Sequence, residues 1–425
     1  MIRDAEVENT IRTFATPLFR AAGLSPSDVK IYIVKDDTLN AFVAGGQKLF
    51  INTGLILASD TPGQIIGVIA HETGHIAGGH LSRLHDELAK GSATSILSLL
   101  LGGAASIATG RGDVGAAIAL GGHSIAQRGL LSYSRVQESA ADHAAMRFLD
   151  QTGFSARGLL DFMETLEGQE LLSSAQQDPY VRTHPLTRDR MDALRQHIDN
   201  SPNSDRQTPP QLIELHDRMR AKLLGFLNPL SRTHKTYKPS DQSLPSRYAR
   251  AIGNYRTNNL PKALTLIDGL IAEEPENPYF HELKGQMLYE NGRVVEALKS
   301  YGNAARLLPN SALIRRDLAR VQVEFNEPAM LDAAIVNLRA ALAVERNSAF
   351  NWRLIAIAYG RKGDHGRSSI ALAEEALLKG KPDVAAYQAN RAIKLFPEGS
   401  REWLQAEDIR LAAEQLSARR QKKNN

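Results

Sequence analysis

Hydrophobic residues form two short β-type runs near the start of the chain and occur at helical spacing over most of the remainder. The first run is Ile31-Tyr32-Ile33-Val34, and the second is Lys48-Leu49-Phe50-Ile51. Both are rich in β-branched and aromatic residues, which favour strands, so we predict a small antiparallel sheet. From Asp60 to about residue 225 the spacing is helical with glycine-rich interruptions. The first half is therefore predicted to be mainly helical, with one small sheet.

Residues of the same kind recur every 34 positions in the second half of the chain. A small residue inside the second helix of each unit and a proline at its end are typical of tetratricopeptide (TPR) repeats. We predict a TPR solenoid with two regular units and one or two degenerate ones; an irregular helical bundle is the alternative. The recurring pairs are Tyr255 and Tyr289, Ala263 and Ala297, and Pro275 and Pro309.

A segment rich in proline, serine and charge, residues 226–246, predicts a linker between the two halves. The expected organisation is a first domain over 1–225, the linker, a TPR domain over 247–418 and a basic tail over 419–425. The length of 425 residues agrees with two domains. The predicted fold class is mainly α, with an α+β first domain followed by an α-helical solenoid.

The composition excludes several kinds of protein and of site. Hydrophobic residues make up 43% and charged residues 23%, which is typical of a globular chain. The net charge of +4 is small and partly in the tail, so we expect no nucleic-acid partner. The chain has no cysteine, so a metal must be bound by His, Asp or Glu. The start lacks the apolar core of a signal peptide, which leaves a cytoplasmic protein or an exported one whose signal has been removed.

Residues His71-Glu72-Thr73-Gly74-His75 match the pattern HExxH. Thr61-Pro62-Gly63-Gln64 predicts the start of the helix that carries them. Two histidines four positions apart lie on one helix face and can bind the same zinc ion. Glu72 is rotated off that direction, and we predict that it accepts a proton from the attacking water.

A catalytic zinc site needs a third protein ligand and one open position. Leu81 occupies the position where one class of HExxH enzymes has a histidine, and His80 points away from His75, so we exclude His80 as a ligand. The predicted third ligand is Glu138, from a later helix, which is the gluzincin arrangement. Asp142 shares the helix face of Glu138, and we expect it to accept the free N–H of a ligand histidine. Alternatively, both are solvated acids on an amphipathic helix.

These motifs resemble the family of zinc peptidases that includes the CAAX prenyl proteases and the peptidase HtpX. The similar features are the HExxH motif, the pattern ExxAD formed by Glu138-Ser139-Ala140-Ala141-Asp142, and Thr183-His184-Pro185-Leu186 with Arg188. The resemblance is closest to the soluble periplasmic BepA type, in which a peptidase domain precedes a TPR domain. It implies a gluzincin-type zinc endopeptidase with one Zn²⁺ per chain, protein substrates and a periplasmic location. It also implies that the TPR domain contacts the outer-membrane assembly machinery.

The roles of His184 and Arg188 stay open at this point. Both follow the Glu138 helix and fit no apolar pattern, so both are candidates for stabilising the oxyanion of the reaction. The family resemblance implies another role for His184, as a fourth zinc ligand that keeps the enzyme latent until a substrate or partner moves its loop. The alternatives are a loop histidine without metal contact and, for Arg188, a structural ion pair. We predict that Arg188, like Asp142, lies beside the zinc ligands without binding the metal.

Phe42, Val43 and Ala44 are predicted to form an edge strand that binds an extended substrate through backbone pairing. Residues 93–125 contain Ala- and Gly-rich stretches that predict either a lid or membrane-facing hairpin, or a pair of core helices. Contact with a membrane surface therefore stays open. We assign His80, His123 and His143 to structural roles.

Two functions from different classes remain. The first is a zinc endopeptidase of misfolded or misassembled outer-membrane proteins, which uses its TPR domain to recruit substrates or partners. The second is a chaperone or scaffold for outer-membrane protein assembly with a mostly closed metal site. A third, prenyl-protein processing inside a membrane, is weakened because no stretch is clearly long and apolar enough to span a bilayer.

Overall fold

The computed structural model describes residues 1–80, 125–168 and 177–424, and it divides into two compact units. The division falls after Leu227, so the first unit is Met1–Leu227 and the second is Asn228–Asn425. The segment expected to be a linker is not wholly irregular. It contains the helix Leu230–Thr236, whose Thr233 is fully buried within the second unit.

The first unit is a helical domain with one three-stranded sheet and a single apolar core. Its helices are α1 (Ala5–Ala21), α2 (Thr53–Ala58), α3 (Pro62–Ala77), α4 (Ile125–Thr152), α5 (Arg157–Glu164), α6 (Pro179–Thr183), α7 (Arg188–Asn200) and α8 (Pro210–Leu227), and its strands are β1 (Lys30–Val34), β2 (Ala41–Ala44) and β3 (Lys48–Asn52). The core joins α1 to α3 through fully buried residues such as Phe14, Leu18, Ile65 and Ile69.

The sheet is mixed, and the prediction of a wholly antiparallel sheet was wrong. The strand order is β1-β3-β2, with β1 parallel and β2 antiparallel to the central strand β3. Gly45 and Gly46, both at positive φ, turn β2 back onto β3 as a hairpin. The chain between β1 and β2 then crosses to the other side of β3. Alternation of residues identifies strands, but it does not say which strand lies between the other two.

Two glycines let helix α3 approach its neighbours closely. A Cβ atom on Gly67 would lie 2.6 Å from the backbone nitrogen of Leu159 in α5. A Cβ atom on Gly74 would lie 2.7 Å from the carbonyl oxygen of Ala141 in α4. Side chains on the adjacent turns of α3 and α4 are therefore brought within reach of each other, which is what the site requires.

The second unit is a series of helix pairs of TPR type. After α9 (Leu230–Thr236), the pairs are α10 (Leu244–Arg256) with α11 (Leu260–Glu273), α12 (Pro278–Glu290) with α13 (Val294–Leu307), α14 (Ala312–Phe325) with α15 (Pro328–Val344), α16 (Ala349–Arg361) with α17 (His365–Leu378), and α18 (Pro382–Ile393) with α19 (Arg401–Asn424). The first three pairs begin 34 residues apart. Ala263 and Ala297 are fully buried between paired helices, as the repeat predicts. The described residues form five pairs, whereas the sequence predicted two regular and one or two degenerate units. The later pairs are harder to recognise because they no longer begin 34 residues apart.

Within the ranges given above, no helix is long and apolar enough to cross a membrane. The predicted lid, residues 93–125, lies outside the described residues apart from its last position, and so does His123.

Candidate metal centre

Four side chains from three segments each bring one ligand atom to within 4.8 Å of the others. His71 and His75 come from α3, Glu138 from α4, and His184 from the turn after α6. The Nε2 atom of His71 is 3.1 Å from His75 Nε2 and 3.3 Å from His184 Nδ1. The Glu138 carboxylate oxygens lie 3.2 Å from His75 Nε2 and 3.1 Å from His184 Nδ1.

These separations fit a tetrahedral zinc site. With metal–ligand bonds of about 2.0–2.1 Å, the ligand atoms of a tetrahedron lie about 3.3 Å apart. Imidazole nitrogens with one carboxylate are also a donor set that suits Zn²⁺. Both carboxylate oxygens of Glu72 beside the cluster are buried without a hydrogen-bond partner among the described residues. His184 Nε2 lies 3.3 Å from Glu72 Oε1 but forms no hydrogen bond to it. Because a buried carboxylate without hydrogen bonds costs free energy, Glu72 also points to a bound ligand.

His71 is held in place by Asp142 and, through it, by Arg190. Asp142 Oδ1 lies 2.8 Å from His71 Nδ1, so Nδ1–H donates to Asp142 and Nε2, which must lose its proton to bind a metal, faces the other ligand atoms. Arg190 donates to both Asp142 oxygens, at 2.6 Å and 3.0 Å. Burial opposes the charge of Asp142, but Arg190 and His71 together outweigh burial and lower the pKa of Asp142 below its usual value.

The two histidines of the HExxH motif have opposite electrostatic surroundings. Burial lowers the pKa of His71, but hydrogen bonds to Asp142 and Glu138 outweigh burial and raise that pKa to about 10. Burial dominates at His75 and lowers its pKa to about 3, because Glu138 opposes it only in part. Burial also raises the pKa of Glu72, which makes its carboxylate a stronger base.

The structure contradicts the prediction that Arg188 lies beside the ligands. Thr187 caps α7, and Arg188 is the first residue of that helix and is exposed. Arg190, two positions further, is 4% exposed and lies 3.1 Å from Glu138 Oε2. Two residues that are two positions apart on a helix point in nearly opposite directions, so only one of them can face the cluster. Thr187 is the sequence signal for where this helix begins, and that start determines which arginine faces the cluster.

His184 lies at the end of the short helix α6, directly before a proline. Its backbone N–H donates to the carbonyl oxygen of Tyr180 at 2.7 Å, and the two rings stack with centroids 4.6 Å apart. Its Nε2 atom is 3.3 Å from Glu72 Oε1. Burial disfavours the charge of Glu138, but His184, His71 and His75 together outweigh burial and hold the pKa of Glu138 well below its usual value. Arg190 donates to the carbonyl oxygen of Pro185 at 2.8 Å, which fastens the turn that carries His184.

The remaining predicted residues are not among the four ligand side chains. Strand β2, which carries Phe42, Val43 and Ala44, is an edge strand of the sheet and contacts α3. Val43 is buried, whereas Phe42 is half-buried and stacks on the Phe50 ring at 4.9 Å. His80 is not among the four ligand side chains, and His143 is exposed on α4.

Comparison with known proteins agrees with this geometry. Residues 2–198 match the family described as Peptidase family M48. The chain is 24% identical over 391 residues to the beta-barrel assembly-enhancing protease of Yersinia pestis, which covers 90% of this chain and 78% of that protein. The protein of that name from Escherichia coli K12 is 24% identical over 393 residues, with 91% and 78% covered. The mitochondrial metalloendopeptidase OMA1 of Schizosaccharomyces pombe is 28% identical over 178 residues, 41% of this chain and 48% of that protein.

Proposed function

The first unit belongs to peptidase family M48 and is a zinc metallopeptidase, and we propose that it is an endopeptidase of misfolded or misassembled outer-membrane proteins. One observation carries the proposal. A cluster of four ligand atoms lies beside a buried carboxylate, Glu72, that has no hydrogen-bond partner among the described residues. That arrangement provides a metal site and a base at the same place.

The residues of the centre have different roles in the proposed hydrolysis of peptide bonds. His71, His75 and Glu138 would hold the zinc ion, and Asp142 fixes the orientation of His71. When bound, zinc supplies Lewis acidity, which polarises the peptide carbonyl and acidifies water. Glu72 takes the proton of the attacking water and passes it to the nitrogen of the departing amine. Its raised pKa supports this role, because a stronger base accepts the proton more readily.

His184 is proposed to keep the enzyme latent. A catalytic zinc site leaves one position open, whereas four protein ligands close it. His184 would occupy that fourth position, since its Nδ1 lies 3.3 Å from His71 Nε2 and its Nε2 lies 3.3 Å from Glu72 Oε1. Movement of the turn that carries His184 opens that position and uncovers Glu72. A substrate or partner that binds this turn therefore activates the enzyme.

The substrate is proposed to bind in extended form along strand β2. Edge strands present unpaired backbone groups, which bind polypeptides with little regard to their sequence. Phe42, Val43 and Ala44 form that edge, and β2 contacts the helix that carries His71. Backbone pairing suits an enzyme whose substrates are unfolded segments. Proline at Val43 removes a backbone N–H from the edge strand and is expected to raise KM or abolish cleavage.

The cellular setting is proposed from the names of the relatives. Two of them are proteases that enhance assembly of β-barrels, and β-barrels are proteins of outer membranes. We place this chain in the periplasm on that ground, with residues 1–225 as the peptidase and residues 247–418 recruiting substrates or the assembly machinery. Stacked helix pairs form extended surfaces that bind polypeptides.

A second candidate function is a scaffold or chaperone whose metal site stays closed. The observation that favours it is the same fourth ligand, since a zinc ion with four protein ligands is typical of structural sites. In that case the second unit performs the function and the zinc ion stabilises the first.

Cleavage of casein by the purified chain distinguishes the two functions, with Glu72→Gln as the inactive control and His184→Ala beside it. We expect His184→Ala to cleave faster than wild type and Glu72→Gln not to cleave. Equal rates for wild type and His184→Ala contradict latency. If zinc is bound and none of the three proteins cleaves casein, the scaffold function is supported.

A further inference from the structure

His80 lies against His75 on the side away from the other ligands. The Nδ1 atoms of the two rings are 3.0 Å apart, and the rings are nearly perpendicular, with an interplanar angle of 81°. His80 is 7% exposed. The two ligand histidines therefore have partners of different chemistry. His71 contacts a carboxylate, that of Asp142, whereas His75 contacts a second imidazole.

The sequence after α3 explains how His80 reaches this place. Gly78 ends the helix and donates to the Gly74 carbonyl oxygen at 2.8 Å, and Gly79 follows at a φ of +60°. This turn folds the chain back over the end of the helix, so His80 returns to His75 instead of pointing away from it. A Cβ atom on Gly78 would lie 2.4 Å from His80 Nε2, so a larger residue there would displace the ring from this position.

The turn is also tied to the helix that carries the carboxylate ligand. The side-chain amide of Gln137 donates to the His80 carbonyl oxygen at 3.3 Å. Gln137 directly precedes Glu138, so the backbone of His80 is positioned relative to the third ligand as well as to the second.

The contact between the two rings fixes where their protons lie. Two ring nitrogens at hydrogen-bond distance need one donor and one acceptor. His75 Nε2 faces His71 Nε2 and Glu138 Oε1, at 3.1 Å and 3.2 Å, and must offer its lone pair to bind a metal there. The proton of neutral His75 is then on Nδ1, and His80 Nδ1 accepts it.

We propose that His80 is a positioning residue for zinc: it accepts the Nδ1–H of His75 and so keeps the Nε2 lone pair of that ligand directed at the metal. The proposal rests on the proposed zinc centre. A neutral imidazole orients His75 without adding a negative charge to a site that already holds Glu72, Glu138 and Asp142.

The test measures zinc affinity in variants that separate hydrogen bonding from packing. His80→Asn keeps an acceptor near the position of Nδ1, whereas His80→Leu keeps the bulk and removes the acceptor. His143→Leu, on an exposed histidine outside the cluster, is the matched control. Competition with a chromophoric chelator gives the zinc dissociation constant of each protein. We expect His80→Leu to lose roughly 10- to 100-fold in affinity, and His80→Asn and His143→Leu to stay within a few-fold of wild type.

Two results overturn the proposal. If His80→Leu binds zinc as tightly as wild type, the contact does not position His75. If His80→Asn loses as much as His80→Leu, the ring acts by packing and not as an acceptor. Wild type that binds no zinc contradicts the proposed centre itself, so the two failures are distinguishable. Long-range ¹H–¹⁵N spectra of zinc-loaded wild type provide an independent check; the proton must be on Nδ1 of His75 and on Nε2 of His80.

Discussion

The two units bury polar side chains in different ways. In the first unit, ionisable groups from α3, α4, the turn after α6 and the start of α7 meet in one cluster, although His71 and His184 are 113 positions apart. In the second unit, several buried polar groups bind backbone a few positions away, and the buried pair of Asn337 and Gln322 is separated by only 15 positions. Arg250 donates to the carbonyl oxygens of Pro239 and Asp241, and the His281 ring lies 2.9 Å from the Pro275 carbonyl oxygen.

This difference means that the candidate site depends on the whole first unit, whereas each helix pair of the second unit depends mainly on its neighbours. A cluster assembled from distant segments exists only when the whole unit is folded, because no local element holds all of its parts. A stack of helix pairs has mostly local contacts, so its stability is close to a sum over neighbouring pairs. We therefore expect changes in the first unit to affect the site and changes in the second to stay local.

The largest expected effect is that of Glu72→Gln on activity. Loss of the base should lower the cleavage rate by about 10²- to 10⁴-fold. The fold should remain intact, because glutamine has nearly the same shape and the two carboxylate oxygens make no hydrogen bond among the described residues. The variant loses only the charge of the contact with His184 Nε2, which lies 3.3 Å from Oε1. Casein cleavage and thermal melting of the same samples check both parts. A large fall in melting temperature would mean that Glu72 has a structural role.

Two large-to-small substitutions, one in the core of each unit, test whether a loss of packing also weakens zinc binding. Phe14 in α1 and Leu338 in α15 are both fully buried, one in each unit. Truncation to alanine should cost about 3–5 kcal/mol at Phe14 and about 2–5 kcal/mol at Leu338. Calorimetry with zinc determination should show that Phe14→Ala weakens zinc binding, whereas Leu338→Ala does not. Equal loss of zinc in both variants would contradict the local behaviour of the repeats.

Glycine-to-alanine substitutions sharpen the same contrast with one added methyl group. At Gly67 the new Cβ would lie 2.6 Å from the Leu159 backbone nitrogen, so α3 and α5 must separate. We expect a loss of about 1–3 kcal/mol in unfolding free energy. At Gly269 in α11, no atom lies within 4 Å of the new Cβ, so alanine should stabilise that helix by about 0.5–1 kcal/mol. Chemical denaturation measures both, and equal signs would contradict the account.

A smaller effect concerns pH and a histidine away from the metal centre. His216 in α8 is fully buried, with Nε2 2.9 Å from Ser59 Oγ and Nδ1 3.5 Å from an Asp217 oxygen. Burial, with a smaller contribution from Arg220, lowers the pKa of His216 to about 3 from an ordinary value of 6.5. Between these values the unfolded chain binds the proton and the folded chain does not, so stability falls as pH falls below 6.5.

His216→Gln should reduce this pH dependence, since glutamine keeps a polar group near Ser59 but does not titrate. Melting temperatures measured between pH 7.5 and pH 5 should fall less in the variant than in wild type. Parallel curves would show that another group carries the pH dependence.

The smallest expected effect is that of Tyr180→Phe. The Tyr180 hydroxyl is buried and has no hydrogen-bond partner among the described residues. Removing it should change the unfolding free energy by less than about 1 kcal/mol, and either sign is acceptable. Chemical denaturation provides the measurement. A larger loss would indicate that the hydroxyl is bound in the folded protein.

Some residues of the candidate site could be predicted from the sequence, and others could not. HExxH specified His71, Glu72 and His75 because one helix fixes their relative directions, and ExxAD did the same for Glu138 and Asp142. Arg190 was missed because its direction depends on where α7 begins, which the capping Thr187 determines. The partner of His75 was also missed. His80 points away from His75 on a continued helix and reaches it only because Gly78 and Gly79 turn the chain back.

X-ray absorption spectroscopy of the zinc-loaded protein tests the central claim most directly, with His184→Ala as the comparison. We predict that wild type has three imidazole nitrogens and one carboxylate around zinc, and that the variant has one imidazole fewer. Its casein cleavage should rise with that change. Identical spectra from the two proteins, or a wild type without zinc, would contradict the account.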